Sequence, residues 1–295
     1  MQNKDWPNIA GLVAGGKADI AFIGATMTLG CVTPSAYHKA PAVFRKSLKR
    51  ISTYDLEAGF DLEGTSVRDY GDIDCTHLSP AEGLVPIVEA FRPLTQDHGL
   101  AVLIGGHNGV TRAGVTALDP NLQNVGLLTL DAHFDLRTTK DGSANGNPVR
   151  CLLEDGLPGA HIVQIGIAPF ANSRTMHQTA LDAGITVYTM ADCRKNGVEQ
   201  TVATGLQYLS EKCDVIYVDF DIDVIERALS PGAPGGRAGG FTPLEFFAAT
   251  RLIGSHKKVK AVDLCEFDPD LDVSDITALI AGRWFAELLM GYHSR

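Results

Sequence analysis

The sequence predicts an α/β fold whose mostly parallel sheet, of about eight strands, carries helices on both faces. Three observations support this. Short strand-like runs alternate along the chain with helical or loop stretches, the pattern of strands joined by helical crossovers. Several runs are apolar throughout rather than alternating, as in Val125-Gly126-Leu127-Leu128-Thr129-Leu130, which marks strands covered on both sides. Four of them lead directly into polar or glycine-rich sequence, and parallel strands place such ends on one edge.

Taken in order, strands are expected at DIAFIG (19–24), SVRDYG (66–71), AVLIG (101–105), VGLLTL (125–130), HIVQIG (161–166), ITVYT (185–189), VIYVDF (215–220) and VKAVDLCEF (259–267). Helices are expected over Ala81–Arg92, Thr175–Ala183, Gly197–Lys212 and Thr242–Leu252. The last has the clearest start. Thr242 is placed as N-cap, Pro243 at the first helical position and Glu245 two further on, where it closes a capping box. The chain shows no repeat, linker or low-complexity tract, so a single domain over 1–295 is the economical reading.

Composition narrows the function classes. The 295 residues are 45% hydrophobic and 20% charged, enough for a large core. Lys plus Arg total 25 against 35 Asp plus Glu, a net charge of −10, which argues against a nucleic-acid or anionic-membrane partner. No apolar run approaches the roughly 18 residues of a spanning helix. The N-terminus lacks the basic-then-apolar form of a secretory signal, and the six Cys form no CxxC pair. Reduced thiols and a cytoplasmic location are therefore expected.

The chemistry concentrates at the strand ends. In LLTLDAHFDLR, Asp131, His133 and Asp135 follow an apolar run at i, i+2 and i+4, positions that share one side of an extended chain. Asp221 and Asp223 repeat the spacing after VIYVDF. Either motif alone reads most readily as a helix cap or a loop pair. Four carboxylates brought together must be protonated or neutralised. Two divalent cations would neutralise them, and oxygen-rich ligation with some imidazole suits Mn²⁺.

DAHFD, DFDID followed by SPGAPGGRAGG, the Gly105-Gly106 turn and the late Glu266 together resemble the ureohydrolases: arginase, agmatinase, guanidino-acid hydrolases and formiminoglutamase. AFIGATMTLG near the start and DYGDID at 69–74 extend the resemblance through most of the chain. It implies a three-layer α/β/α fold with two Mn²⁺ per chain at the strand ends, nickel or another divalent metal being left open. Asp131, His133, Asp135, Asp221 and Asp223 match its metal ligands. Glu266 matches the acid that anchors the substrate's amidine-like nitrogen. Trimeric or hexameric assembly is implied as well.

Two departures matter. Asn108 stands where the family places a ligand His, with His107 one position earlier. Three arrangements are open: Asn108 ligates through its amide oxygen, water fills the place, or the loop shifts so that His107 ligates. The second departure is Asn145, which matches the His that arginases are thought to use as a proton shuttle. Its replacement looks more like formiminoglutamase. Arg137 and Arg150 lie in the same stretch and can bind a substrate carboxylate bidentately or pair with Glu154 or Asp155 at the surface.

The resulting expectation is a metal-dependent hydrolase of a small linear amidine, first formiminoglutamate giving glutamate and formamide. Asp135, Glu266 and Asn145 are the expected catalytic groups, and Asn145, Arg150, Arg137 and Glu266 the substrate contacts. Agmatine or another guanidino compound, releasing urea, is the alternative. A non-catalytic family member with a spoiled first metal position is the alternative from another class.

Overall fold

A computed structural model describes residues 6–295; residues 1–5 of the expected 1–295 domain lie outside the described residues. In chain order the elements are β1 (Ile20–Ala25), α1 (Ala40–Ser47), the hairpin strands β2 (Tyr54–Asp55) and β3 (Phe60–Asp61), β4 (Val67–Ile73), α2 (Pro80–Asp97), β5 (Leu100–Gly105), α3 (Val110–Leu118) and β6 (Val125–Leu130). They continue with α4 (Pro148–Asp155), β7 (Ile162–Ile167), α5 (Arg174–Ala183), β8 (Thr186–Thr189), α6 (Met190–Asn196), α7 (Val198–Ser210), β9 (Val215–Asp221), α8 (Pro243–Ser255), β10 (Val259–Cys265) and α9 (Ile276–His293).

The main sheet has eight strands in the order β4-β1-β5-β10-β9-β6-β7-β8. Every pairing in it is parallel, in line with the expected mostly parallel sheet of about eight strands. The alternation of side chains along each strand feeds two separate cores. Leu100, Val102 and Ile104 of β5 face one core with Phe44, Phe246, Trp284 and Phe285 of α1, α8 and α9. Ala101 and Leu103 face the other, with Ile87, Phe91, Val115 and Leu152 of α2, α3 and α4. Helices thus cover both faces, and each fully buried large side chain contributes about 1.5–3 kcal/mol.

All eight expected strands are present, and the expected capping box of α8 forms between Thr242 and Glu245. Two features of the helices differ. α2 runs on to Asp97 through Pro86 and Pro93, because its packing against α3 and β5 outweighs the two lost backbone donors. α1, α3, α4, α6 and α9 were not expected, and α9 is the longest of these. Its sequence is apolar on nearly every side, because it is buried against both α8 and α1, so no amphipathic period marks it. Among the described residues no helix is long and apolar enough to cross a membrane.

The order of strands sets up the site. The four central neighbours are β5, β10, β9 and β6, the same four whose ends carry the polar clusters. Register aligns them: Leu130 sits opposite Phe220, and Asp221 opposite Cys265. The Glu266 N–H then donates to the Gly106 carbonyl at 3.0 Å. Gly106 itself presses on the loop after β1; a Cβ there would lie 1.9 Å from the Met27 carbonyl oxygen. Only glycine allows that turn to seat.

Candidate metal centre

Asp131 lies one residue past the end of β6, and the chain turns rather than staying extended. Asp131 Oδ1 accepts the His133 N–H at 2.6 Å, a tight turn closed by the side chain. Asp135 then adopts a left-handed backbone, φ 52°. The same device recurs on β9, where Asp221 Oδ1 accepts the Asp223 N–H at 2.8 Å at the start of a single 3₁₀ turn. The clusters converge as expected, but through two side-chain-closed turns and not through strand alternation.

The two motifs interlock. His133 Nδ1 donates to Asp223 Oδ2 at 2.9 Å and lies 3.4 Å from Asp131 Oδ1. The Ala132 N–H donates to Asp223 Oδ1 at 3.3 Å. The loop that follows β9 closes over them at Gly235, where a Cβ would fall 2.0 Å from Asp223 Oδ2. The glycine of SPGAPGG is therefore there to let the backbone approach a carboxylate.

Four carboxylates, Asp131, Asp135, Asp221 and Asp223, are buried here, with Glu266 beside them. Their electrostatics show what such crowding costs. Burial, with the charge of Asp223 added, raises Asp131 to about 7. Burial drives Asp135 and Asp221 well above the carboxylate range, and neighbouring carboxylates push them further. His133 is pushed up to about 11, because the Asp223 charge outweighs its burial. Burial raises Asp223 too, but the His133 charge and hydrogen bond outweigh it and hold the group low. Asp131 Oδ2 is buried with no hydrogen-bond partner. A buried acceptor left open among carboxylates and an imidazole fits a divalent cation with oxygen-rich ligation.

A consequence can be measured. Burial and crowding favour the protonated forms of Asp131, Asp135 and Asp221, and the Asp223 charge favours that of His133, so protons compete with a cation for these atoms. Mn²⁺ binding is therefore expected to release protons and to strengthen as pH rises, because fewer protons then compete. Calorimetric titration in two buffers of different ionisation enthalpy reads the release; heats independent of buffer would contradict it.

Glu266 also has a left-handed backbone, φ 61°, rare for a residue of its type. Three donors hold its carboxylate: Tyr37 O–H on Oε2 at 2.5 Å, and the Asn108 N–H at 2.8 Å and Asn145 Nδ2 at 3.0 Å on Oε1. Asn145 is fixed at its other end, its Oδ1 accepting the Val32 N–H at 2.7 Å. Burial raises the Glu266 carboxyl, against the lowering effect of these three hydrogen bonds.

The remaining expected residues divide. Asn108 sits inside the cluster, its amide nitrogen donating to Asp135 Oδ2. His107 is turned away: Nε2 meets the Leu29 carbonyl at 2.8 Å and Nδ1 accepts the Gly109 N–H at 3.0 Å. Both ring nitrogens are thus engaged outside the cluster, and burial lowers the imidazole to about 4, so it is neutral at pH 7. Arg137 lines the pocket over the carboxylates. Arg150 does not; it pairs with Glu154 at 2.6 Å, one helical turn along α4, so its expected substrate contact is corrected to a surface ion pair.

Sequence reasoning missed Tyr37, Asn172 and Arg237, which also line this pocket. Tyr37 comes from a distant 3₁₀ turn and Asn172 from a distant loop, with no motif around either. Arg237 stands inside SPGAPGGRAGG, where a cation in a glycine-rich loop beside acidic strand ends was a usable signal.

A fully parallel eight-stranded sheet with paired carboxylate turns at its central strand ends defines an arginase-type metal-hydrolase scaffold. The model of the arginase family matches residues 18–291, and the chain belongs to that family. It is 33% identical over 274 residues to the formimidoylglutamase of Halalkalibacterium halodurans, an alignment covering 92% of this chain and 86% of that one. Its structure superposes on the crystal structure of formimidoylglutamase from Bacillus subtilis with a TM-score of 0.93 at 28% identity, covering 99% and 94% of the two chains. It also superposes on Trypanosoma cruzi formiminoglutamase solved with Mn²⁺, with a TM-score of 0.88 at 25% identity, covering 99% and 100%.

Proposed function

We propose that this chain is a formimidoylglutamase: a hydrolase with two Mn²⁺ per chain that converts formiminoglutamate to glutamate and formamide. The observation that carries the substrate choice is the pocket itself. Its buried lining is acidic, with Asp135, Asp221, Asp223 and Glu266, while the arginines that line it, Arg137 and Arg237, are exposed. A substrate with a cationic amidine at one end and carboxylates at the other matches that polarity. Agmatine, cationic at both ends, does not.

Asp131, His133, Asp135, Asp221 and Asp223 would hold the metal. When bound, it supplies Lewis acidity and a water ionised near neutral pH. Glu266, held in place by Tyr37, Asn108 and Asn145, accepts an N–H of the amidine and fixes the planar carbon over the site. Asp135 lines the pocket and carries a proton to the departing nitrogen. Arg137 and Arg237 bind carboxylates through their forked N–H groups. No thiol is required as nucleophile: four of the six, Cys75, Cys151, Cys193 and Cys213, are buried with their ionisation raised by burial and lie outside the pocket. Trimeric or hexameric assembly stays part of the proposal.

The test is a panel of formiminoglutamate, agmatine, arginine and guanidino acids with added Mn²⁺, scored for formamide, ammonia and urea. Formamide from formiminoglutamate is expected; urea from agmatine alone overturns the proposal. Arg137→Ala and Arg237→Ala are each expected to raise KM for formiminoglutamate about 10-fold with kcat little changed, the mark of binding held equally in ground and transition state.

A further inference from the structure

The Asn108 amide is fixed at one end by a single hydroxyl. Its backbone N–H is tied to Glu266, so the amide torsion is the freedom the residue retains. Asn108 Oδ1 accepts the Thr111 O–H at 2.7 Å and faces the Cys265 thiol at 3.3 Å, while the amide nitrogen donates to Asp135. In this orientation the amide turns N–H groups, not a lone pair, toward the carboxylate cluster.

Thr111 Oγ1 also lies 2.8 Å from Asp263 Oδ2, which takes the Tyr217 O–H at 2.8 Å. A hydroxyl has one proton and cannot donate to both acceptors. Thr111, Asn108 and Asp263 are all buried, so the hydroxyl chooses between these two acceptors. Two patterns therefore satisfy the same atoms. In the first, Thr111 donates to Asn108 Oδ1 and the amide nitrogen faces Asp135. In the second, Thr111 donates to Asp263, accepts from the Asn108 amide nitrogen after a half-turn, and Oδ1 faces Asp135. The Cys265 thiol has its own alternative acceptor, Asp219 Oδ1 at 3.5 Å. A lone carboxylate favours the first pattern. A cation beside Asp135 favours the second, since it repels N–H and attracts a carbonyl oxygen.

The geometry points to Thr111 as the positioning residue of the first metal position: its hydroxyl proton sets which end of the Asn108 amide faces the cation, and hence whether that position has an amide oxygen ligand. The inference rests on the two-Mn²⁺ reading above. It explains how a chain with Asn in place of a ligand His keeps a usable site without recruiting His107.

The test is Mn²⁺ titration of the full chain, followed through the paramagnetic resonance signal of free Mn²⁺. The wild type is expected to take two Mn²⁺ per chain. Thr111→Val, of the same shape but without the hydroxyl, is expected to weaken one of them about 10-fold and leave the other unchanged. Thr111→Ser restores the wild-type isotherm. Asn108→Ala weakens the same Mn²⁺, and adding Thr111→Val to it weakens nothing further, because both act through one amide. Thr111→Ala reads the same loss should a valine methyl not be tolerated beside Asp263. A Thr111→Val or Thr111→Ala isotherm that overlays the wild type, or losses that add to that of Asn108→Ala, overturns the inference while leaving the hydrolase proposal intact. A wild type that takes no Mn²⁺ overturns both.

Discussion

An Asp223→Asn variant is expected to lose roughly 10³-fold in kcat/KM, about 4 kcal/mol of transition-state stabilisation, and to bind fewer than two Mn²⁺ per chain. The substitution keeps the side chain's shape, so the fold has little reason to fail. It replaces one carboxylate oxygen by a donor in a place built for an acceptor. Asp223 receives the His133 imidazole at 2.9 Å and the Ala132 N–H at 3.3 Å, and Gly235 is a glycine so that the loop can lie against it. An amide removes the negative charge that keeps His133 protonated without metal and that would hold a cation with it. Elemental analysis of the purified variant, beside its activity, makes the test specific. Wild-type turnover with two Mn²⁺ retained would remove Asp223 from the ligand set.

The sheet was legible in the sequence because each strand is a short apolar run bounded by turn residues, and eight of these occur. The site was legible because the acidic strand ends are local motifs. The reason for their convergence was not. Strand alternation was the expected geometry, whereas β6 ends at Leu130 and Asp131 closes a turn on His133. A carboxylate that can cap a backbone N–H two residues on competes with the extended conformation, and here it wins. Arg150 and Arg137 look alike in sequence; α4 separates them, carrying Arg150 onto Glu154 and leaving Arg137 in the pocket. Tyr37 and Thr111 were invisible for a related reason. Their meaning lies in contacts across 229 and 152 residues of chain, to Glu266 and Asp263, which no local pattern encodes.

Glu266→Gln is expected to lower kcat/KM by roughly 10²-fold, about 2.7 kcal/mol, with Mn²⁺ uptake unchanged. The argument follows from counting donors. A carboxylate has about four acceptor positions. Tyr37, Asn108 and Asn145 occupy three of them at 2.5, 2.8 and 3.0 Å. One acceptor position is left, and Glu266 lines the pocket over Asp221 and Asp223. In the glutamine, Oε1 can still accept from Asn108 and Asn145, while Nε2 donates to the Tyr37 oxygen. Two of the three donors keep their acceptor, the Tyr37 O–H loses its own, and the left-handed backbone is no more strained than before. What disappears is the negative charge and the free acceptor that an amidinium N–H would use. The loss in rate should therefore fall on substrate orientation and transition-state charge, leaving the Mn²⁺ isotherm near that of the wild type. Activity within a few-fold of wild type would show that the amidine is anchored elsewhere. A lost Mn²⁺ would place Glu266 among the ligands instead.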